Sequence, residues 1–237
     1  MKIAIIDKNA TDTVRRGLQK RGFYVMSPPP ATELLPPLAT HPDMLFFTDG
    51  ETLVTSGAYV EEASWFFDDL SRLTRLNFKI TAEEHSCEYP GDCIFNALVI
   101  GERLFAKTDT VSPAVLSLAR ERGMRIFHVN QGYPACTVLP LGTDAAITAD
   151  RGMARVLSEA GVRVTVIENG GIHLVPYEYG FIGGAAGVCG DTVYFLGDPA
   201  THPSGEAILR AVREAGLRSV SLSDGVLCDL GRIVFAE

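Results

Sequence analysis

ARERGMRIFHV, residues 119 to 129, runs out of a helix-forming stretch, turns at Gly123 and enters an apolar strand. The same passage recurs as LQKRGFYVMS (18 to 27), LTRLNFKIT (73 to 81), LSEAGVRVTVIE (157 to 168) and VREAGLRSVSLS (212 to 223). Phe23, Phe78, Met124, Val162 and Leu217 mark the five joints, and repeats of roughly 20–50 residues are the signature of repeated supersecondary units. Helices are predicted over residues 11 to 21, 61 to 75, 112 to 122, 150 to 160 and 204 to 215. Thr11 or Asp12, Ser112, Asp150 and Ser204 serve as caps, and Pro113 occupies a first turn.

Between each strand and the next helix lies a hairpin. MLFFTDGETLVTS turns at Asp49 and Gly50, ALVIGERLFAK at Gly101, TVLPLGTDAAITA from Gly142 to Asp144, AGVCGDTVYFLG at Gly190 and Asp191, and VLCDLGRIVFA at Gly231. Asp and Gly tolerate the positive φ that tight turns require. The chain starts with the strand KIAIID and finishes with RIVFAE, so a ring of five small sheets can pair its own ends and leave no long edge open. The expectation is an α/β chain folded as a five-bladed β/α-propeller, with pseudo-five-fold repeats around a central pocket and one domain over residues 1–237. An open doubly wound sheet is the competitor, but neither G-x-G-x-x-G after the first strand nor G-x-x-x-x-G-K-[ST] is present.

Composition narrows the function. With 46% apolar residues the chain can fill a large core, and 21 basic against 29 acidic residues give a net charge of -8, a surface that repels phosphate backbones. Nucleic acid is therefore not expected as a partner. MKIAIIDKN is too short an apolar run for a signal peptide, and no stretch reaches the ~18 apolar residues of a membrane span; a cytoplasmic protein is expected. The five cysteines and five histidines form no C-x-x-C and no H-E-x-x-H, so no metal is expected.

The hairpin entrances carry the chemistry: HPD (41 to 43), YPGDCIFN (89 to 96), NQGYPAC (130 to 136), EYGFIGG (178 to 184) and SDGVLCD (223 to 229). Such polar loops before apolar strands build a concave site with a few oriented polar groups. Cys136, after a Gly-Tyr-Pro turn, reads as a presented nucleophile or as a small buried side chain. Cys228 sits between Asp224 and Asp229, which would raise its pKa; Cys93 reads as strand core. His173, after two glycines, suits a general base or a loop histidine bonded to backbone. Asp92 is a carboxylate for a cation, an orienter of His173, or a turn residue. His41 and Asp43 bracket Pro42 as ligand groups or as a rigid turn. Gly183 and Gly184 allow close backbone approach or offer amides to a ligand. Tyr89 and Tyr133 offer aromatic walls, and Asn96 and Gln131 further polar contacts.

HPD, YPGDCIFN, NQGYPAC, ITAD, GGIHL, YGFIGGAAG and LGD together resemble an uncharacterised bacterial family of the guanidino-group-modifying enzyme fold, the pentein or five-bladed β/α-propeller. The resemblance runs from MKIAIID to DLGRIVFAE. That superfamily includes arginine deiminases, dimethylarginine hydrolases, agmatine deiminases and amidinotransferases, and a non-enzymatic ribosome-associated factor. It implies attack by a late-chain cysteine on a guanidinium carbon, aided by a histidine, with carboxylates holding the cation. On that pattern His173 is the histidine, Cys228 the cysteine in the late position, and Asp43 and Asp92 the carboxylates. GGIHLV lacks an acid directly after the histidine and VLCDLG is a poor Gly-rich final loop, so Cys136 stays a rival. No cofactor is implied. The expected activity is that of a cysteine-dependent hydrolase or transferase on a guanidino or amidino small molecule; the alternative is a non-catalytic binder of a small ligand or of a macromolecule. Both expect one axial pocket holding His173 and Asp92 with Cys136 or Cys228.

Overall fold

The computed structural model describes residues 1–237. Five three-stranded sheets stand around an axis, and each has the same plan. In the first blade Phe47–Thr48 runs antiparallel to Thr52–Ser56, which is parallel to Asn77–Thr81. The second uses Leu98–Ile100, Arg103–Ala106 and Arg125–His128. The third uses Val138–Leu141, Ala145–Thr148 and Arg163–Val166. The fourth uses Ala186–Cys189, Thr192–Phe195 and Arg218–Ser221. In each, the antiparallel pair is the hairpin read from the sequence, and the parallel third strand returns through a helix.

The fifth blade closes the ring from both ends. Val234–Ala236 pairs antiparallel with Ile3–Ile5, and Ile3–Ile5 is parallel to Tyr24–Met26. The predicted hairpin at Gly231 is therefore absent. Leu227–Cys228 belongs instead to a two-stranded parallel sheet with Ile172–His173, and Gly231 with Arg232, both at positive φ, swings the chain from that sheet to the closing strand. A turn-like glycine marks a change of direction, but the partner on its far side is chosen by the whole ring.

The helices lie close to their expected places: Asp12–Gln19, Pro113–Glu121, Arg151–Glu159 and Gly205–Glu214. Thr11, Ser112 and Asp150 accept the predicted capping bonds from the amides of Val14, Ala114 and Met153. Ser204 does not cap; its hydroxyl accepts from the amide of Glu168 instead. The helix expected over 61 to 75 starts earlier, directly after its strand, as Gly57–Glu62 capped by Ser56, and continues as Ser64–Leu73 after a break at Ala63. Gly22, Gly123, Gly161 and Gly216 end four of these helices in the left-handed region, where a Cβ would be strained. The remaining joint has no glycine, and the Arg75 amide bonds to the carbonyl of Glu237, so the chain end braces it.

The apolar cores lie between blades. Leu98, Phe105, Val138, Ala146, Met153 and Leu157 join the second and third blades, and Leu139, Ile147, Val193, Phe195 and Ile208 join the third and fourth. Full burial of such a side chain contributes roughly 1.5–3 kcal/mol, so each blade is stable chiefly against its neighbours. The first strands of the second to fourth blades and Val234–Ala236 contact one another in sequence around the axis. The short turns that lead into the first strands of the first three blades, Pro42–Leu45, Gly91–Cys93 and Pro134–Thr137, meet at the ring centre, where Asn96 bonds to both Asp43 and Cys136. No helix is long and apolar enough to cross a membrane.

Candidate functional site

Where these turns converge lies a cavity of about 480 Å³, within the range of roughly 300–1,000 Å³ for small-molecule sites. His41, Met44, Asp92, Cys136 and Asp229 are its buried lining groups. Tyr133, Leu174, Tyr179 and Phe181 form half-buried walls, and Leu35, Tyr89 and Tyr177 form an exposed rim. Of the charged groups, three carboxylates (Asp92, Glu178 and Asp229) line it, with no lysine or arginine.

Behind Cys136 the polar groups interlock. Its thiol donates to Asp43 Oδ2 at 2.8 Å, and Asn96 Nδ2 donates to Cys136 Sγ at 3.1 Å and to the Asp43 carbonyl at 3.0 Å. Asn96 Oδ1 accepts from the Ala135 amide at 2.8 Å. One amide side chain, 1% exposed, thus ties together the entrances of three blades. His85 makes a similar tie, with Nε2 2.8 Å from the Met44 carbonyl. His41 Nε2 is 3.7 Å from Asp7 Oδ2, which also accepts from the Thr40 hydroxyl at 2.6 Å.

Asp229 is held by backbone. Its Oδ2 accepts from the Phe181 amide at 2.8 Å and its Oδ1 from the Gly231 amide at 3.1 Å. The carboxylate rests so close to Gly184 that a Cβ there would overlap it, and a Cβ on Gly183 would overlap the carbonyls of Ala135, Cys136 and Val138. The glycine pair therefore serves close approach. The Gly184 amide is bonded to the Cys136 carbonyl and is not free for a ligand.

Burial dominates the electrostatics. It pushes Asp43 up to about 6 against the opposing pull of its Cys136 bond and of Arg232. It pushes Asp229 to about 6 as well, with His41 opposing and Asp43 adding to the rise. The Cys136 thiol is raised well above 9, first by burial and then by the two nearby carboxylates. Arg232, brought underneath by the Gly231 turn, is lowered by burial while Asp43 and Cys136 favour its charge. Two charged atoms of this cluster are buried without a hydrogen-bond partner, Asp43 Oδ1 and Arg232 Nε. At the cavity itself Asp92 Oδ2 accepts from the Tyr133 hydroxyl at 2.7 Å, but Asp92 Oδ1 has no donor.

The predicted site residues divide into three groups. His41, Tyr89, Asp92, Tyr133 and Cys136 line the cavity, with Asp43 and Asn96 directly behind Cys136. Cys136, expected as a presented nucleophile or a buried side chain, is 5% exposed. Cys93 is buried as expected, but in the Gly91–Cys93 turn rather than in a strand. Gln131 lines a neighbouring, more polar cavity of about 370 Å³ and bonds Asp150 at 3.0 Å. His173 and Cys228, expected in the axial pocket, do not line it. They are register partners on the two-stranded sheet, so strand spacing of about 4.8 Å sets them side by side on one face. The next residues along, Leu174 and Asp229, line the cavity, because successive side chains alternate in direction. His173 is exposed, and the half-buried Cys228 thiol is raised by burial and then by Asp229.

Leu35, Leu38, Met44, Cys87 and Tyr177 lie outside the entrances read from the sequence, while Asp229 and Glu178 to Phe181 lie within the SDGVLCD and EYGFIGG entrances but had no site role assigned to them. The glycine run was a further signal, because its lack of side chains leaves room for the Asp229 carboxylate.

Solved structures share this architecture at low identity. Dimethylarginine dimethylaminohydrolase from Pseudomonas aeruginosa, complexed with citrulline, superposes with a TM-score of 0.58 at 9% identity over 94% of this chain and 91% of that one. Agmatine deiminase from C. jejuni gives 0.55 at 8% over 95% and 90%. An amidinotransferase of saxitoxin biosynthesis from Microseira wollei gives 0.54 at 13% over 90% and 75%. No curated protein matches the sequence. The fold is thus the pentein fold of guanidino-group-modifying enzymes. The family model described as "Family of unknown function (DUF6873)" matches residues 5–234, and the chain belongs to that family.

Proposed function

We propose that the axial cavity binds a small organic cation of the guanidino or amidino class. The observation that carries this is the lining: Asp92, Asp229 and Glu178 without a lysine or arginine, and an Asp92 oxygen buried without a donor. A buried acceptor left unpaired costs roughly 1–3 kcal/mol, which a bound N–H donor recovers. The chemistry of the relatives, which include a dimethylarginine hydrolase, an agmatine deiminase and an amidinotransferase, supports the same class. Calorimetric titration with arginine, agmatine, a methylarginine and benzamidine tests it, with urea-type neutral analogues as controls. Asp92→Asn is expected to weaken the cation at least about 10-fold, the value of one charge-assisted bond. Equal binding of cation and neutral analogue would refute the reading.

A second reading, hydrolase or transferase chemistry at a cysteine, is favoured by the Cys136 to Asp43 contact. With a cation bound, the thiol proton passes to Asp43 and sulfur bonds to the amidino carbon. The amine departs with the proton returned from Asp43, and water then adds to the same carbon, breaking the carbon–sulfur bond and returning a proton to the thiol. A bound positive charge is what would offset a thiol raised by burial and by two carboxylates. Release of ammonia or amine by the wild type, abolished in Cys136→Ser, supports this route. Release that survives Cys136→Ser and disappears in Cys228→Ser assigns the chemistry to the His173 and Cys228 face. No release with tight binding leaves the protein a binder.

A further inference from the structure

Three features of the cavity restrict its ligand further. First, the basic lining group is His41, which is 2% exposed and already turned to Asp7 at 3.7 Å. A ligand carboxylate would therefore meet no free cation in the cavity, and would meet Glu178 near the rim. Second, apart from Glu178 and the exposed Cys87, the rim is apolar: Leu35, Tyr89 and Tyr177 are 45%, 51% and 43% exposed, and all three line the cavity. An amino-acid end lying at the mouth would have to shed water against these side chains, which costs free energy for a charged group. Third, the inner walls are Leu38, Leu174, Tyr133, Tyr179 and Phe181. Tyr89 with Tyr133 and Tyr179 with Phe181 are ring pairs, with centroids 5.9 and 6.2 Å apart. Such walls receive methylene or aryl groups and favour a cation over a ring face.

Resting on the proposed cation site, we propose that its ligand is a guanidine or amidine carried on an apolar alkyl or aryl body and lacking a carboxylate, rather than a free amino acid such as arginine. The cationic head is placed at Asp92 and Asp229, the body against the leucine and aromatic walls, and the tail leaves past Leu35 and Tyr177.

A matched set of probes tests this on the intact protein: n-pentylguanidine, L-arginine, which adds an amino acid group to that chain, and n-pentylurea, its neutral counterpart. Titration calorimetry is expected to place pentylguanidine at least about 10-fold tighter than arginine, the equivalent of one unpaired charge, and tighter than pentylurea. Arginine binding as tightly as pentylguanidine, with both tighter than pentylurea, would overturn this inference while the cation site stands. Pentylurea equal to pentylguanidine, or no binding by any probe, would overturn both. Leu174→Arg, a substitution at a half-buried wall position, places a carboxylate partner in the cavity and is expected to narrow the preference for pentylguanidine over arginine. An unchanged ratio in a folded variant would count against the carboxylate argument.

Discussion

Asp43→Asn isolates the electrostatic cost of the cluster behind the cavity. Asp43 is raised from 3.8 to about 6, chiefly by burial, so between these values the folded protein holds a proton that the unfolded chain has released. Stability from this group is present below 3.8 and is lost as pH rises through 6; it grows on acidification, the reverse of an ion-paired carboxylate. From pH 7 to pH 5 the folded carboxyl goes from largely ionised to largely protonated while the unfolded one stays ionised. At about 1.4 kcal/mol per pH unit, the wild type gains about 1 kcal/mol over that interval from this group. Asparagine is nearly isosteric, and its amide oxygen can still accept from the Cys136 thiol. His85 and His202, both lowered by burial, work in the opposite sense over this range but are common to both proteins and cancel in the difference. Asp229 does not cancel, because Asp43 contributes to its rise, and losing that contribution in the variant moves the gap in the same direction. Urea unfolding of wild type and variant at pH 5 and pH 7 gives that difference directly. The stability gap should shift by about 1 kcal/mol in favour of the wild type at pH 5. A gap constant to within about 0.3 kcal/mol would refute the placement of Asp43 as a buried carboxyl with a raised pKa.

Gly184→Ala forces a methyl into the Asp229 carboxylate; overpacking of about 1–3 kcal/mol plus disturbed charge-assisted bonds should lower Tm by roughly 5–10 °C, measured by calorimetry. Asn96→Ala removes bonds to Ala135, Asp43 and Cys136 at once, and a loss of about 2–3 kcal/mol in denaturant unfolding is expected; a loss under about 0.5 kcal/mol would show that the three blade entrances are held by other contacts. Iodoacetamide at pH 7 should modify the exposed Cys87 far faster than Cys136, whose thiol is buried and raised, as read by peptide mass mapping. Comparable rates would contradict its placement.

Much of this molecule is local. Four of the blades need a helix-ending residue, a two-sided hairpin turn and a branched or aromatic strand that lie within one repeat, so Gly123 with RIFHV or Asp49 with Gly50 can be recognised without knowing what they pack against; the fifth, closed from both ends of the chain, does not. The same holds for Thr11, Ser112 and Asp150, whose capping bonds reach only two or three residues ahead. Ser204 shows the boundary of that logic. It has the right residue type in the right place, but the amide of Glu168, 36 residues away, takes its hydroxyl.

What sequence alone determined was the number of units, their order and the axial location of their polar entrances, because alternation and turn chemistry are properties of short segments. Tertiary structure decided which side chains meet. Leu227–Cys228 pairs with Ile172–His173 rather than with the chain's last strand, and in a strand a shift of one residue exchanges the two faces. That register presents Leu174 and Asp229 to the cavity and turns His173 and Cys228 aside. The carboxyl values near 6 likewise depend on the burial that five converging entrances impose, since no neighbour in sequence removes water from Asp43 or Asp229.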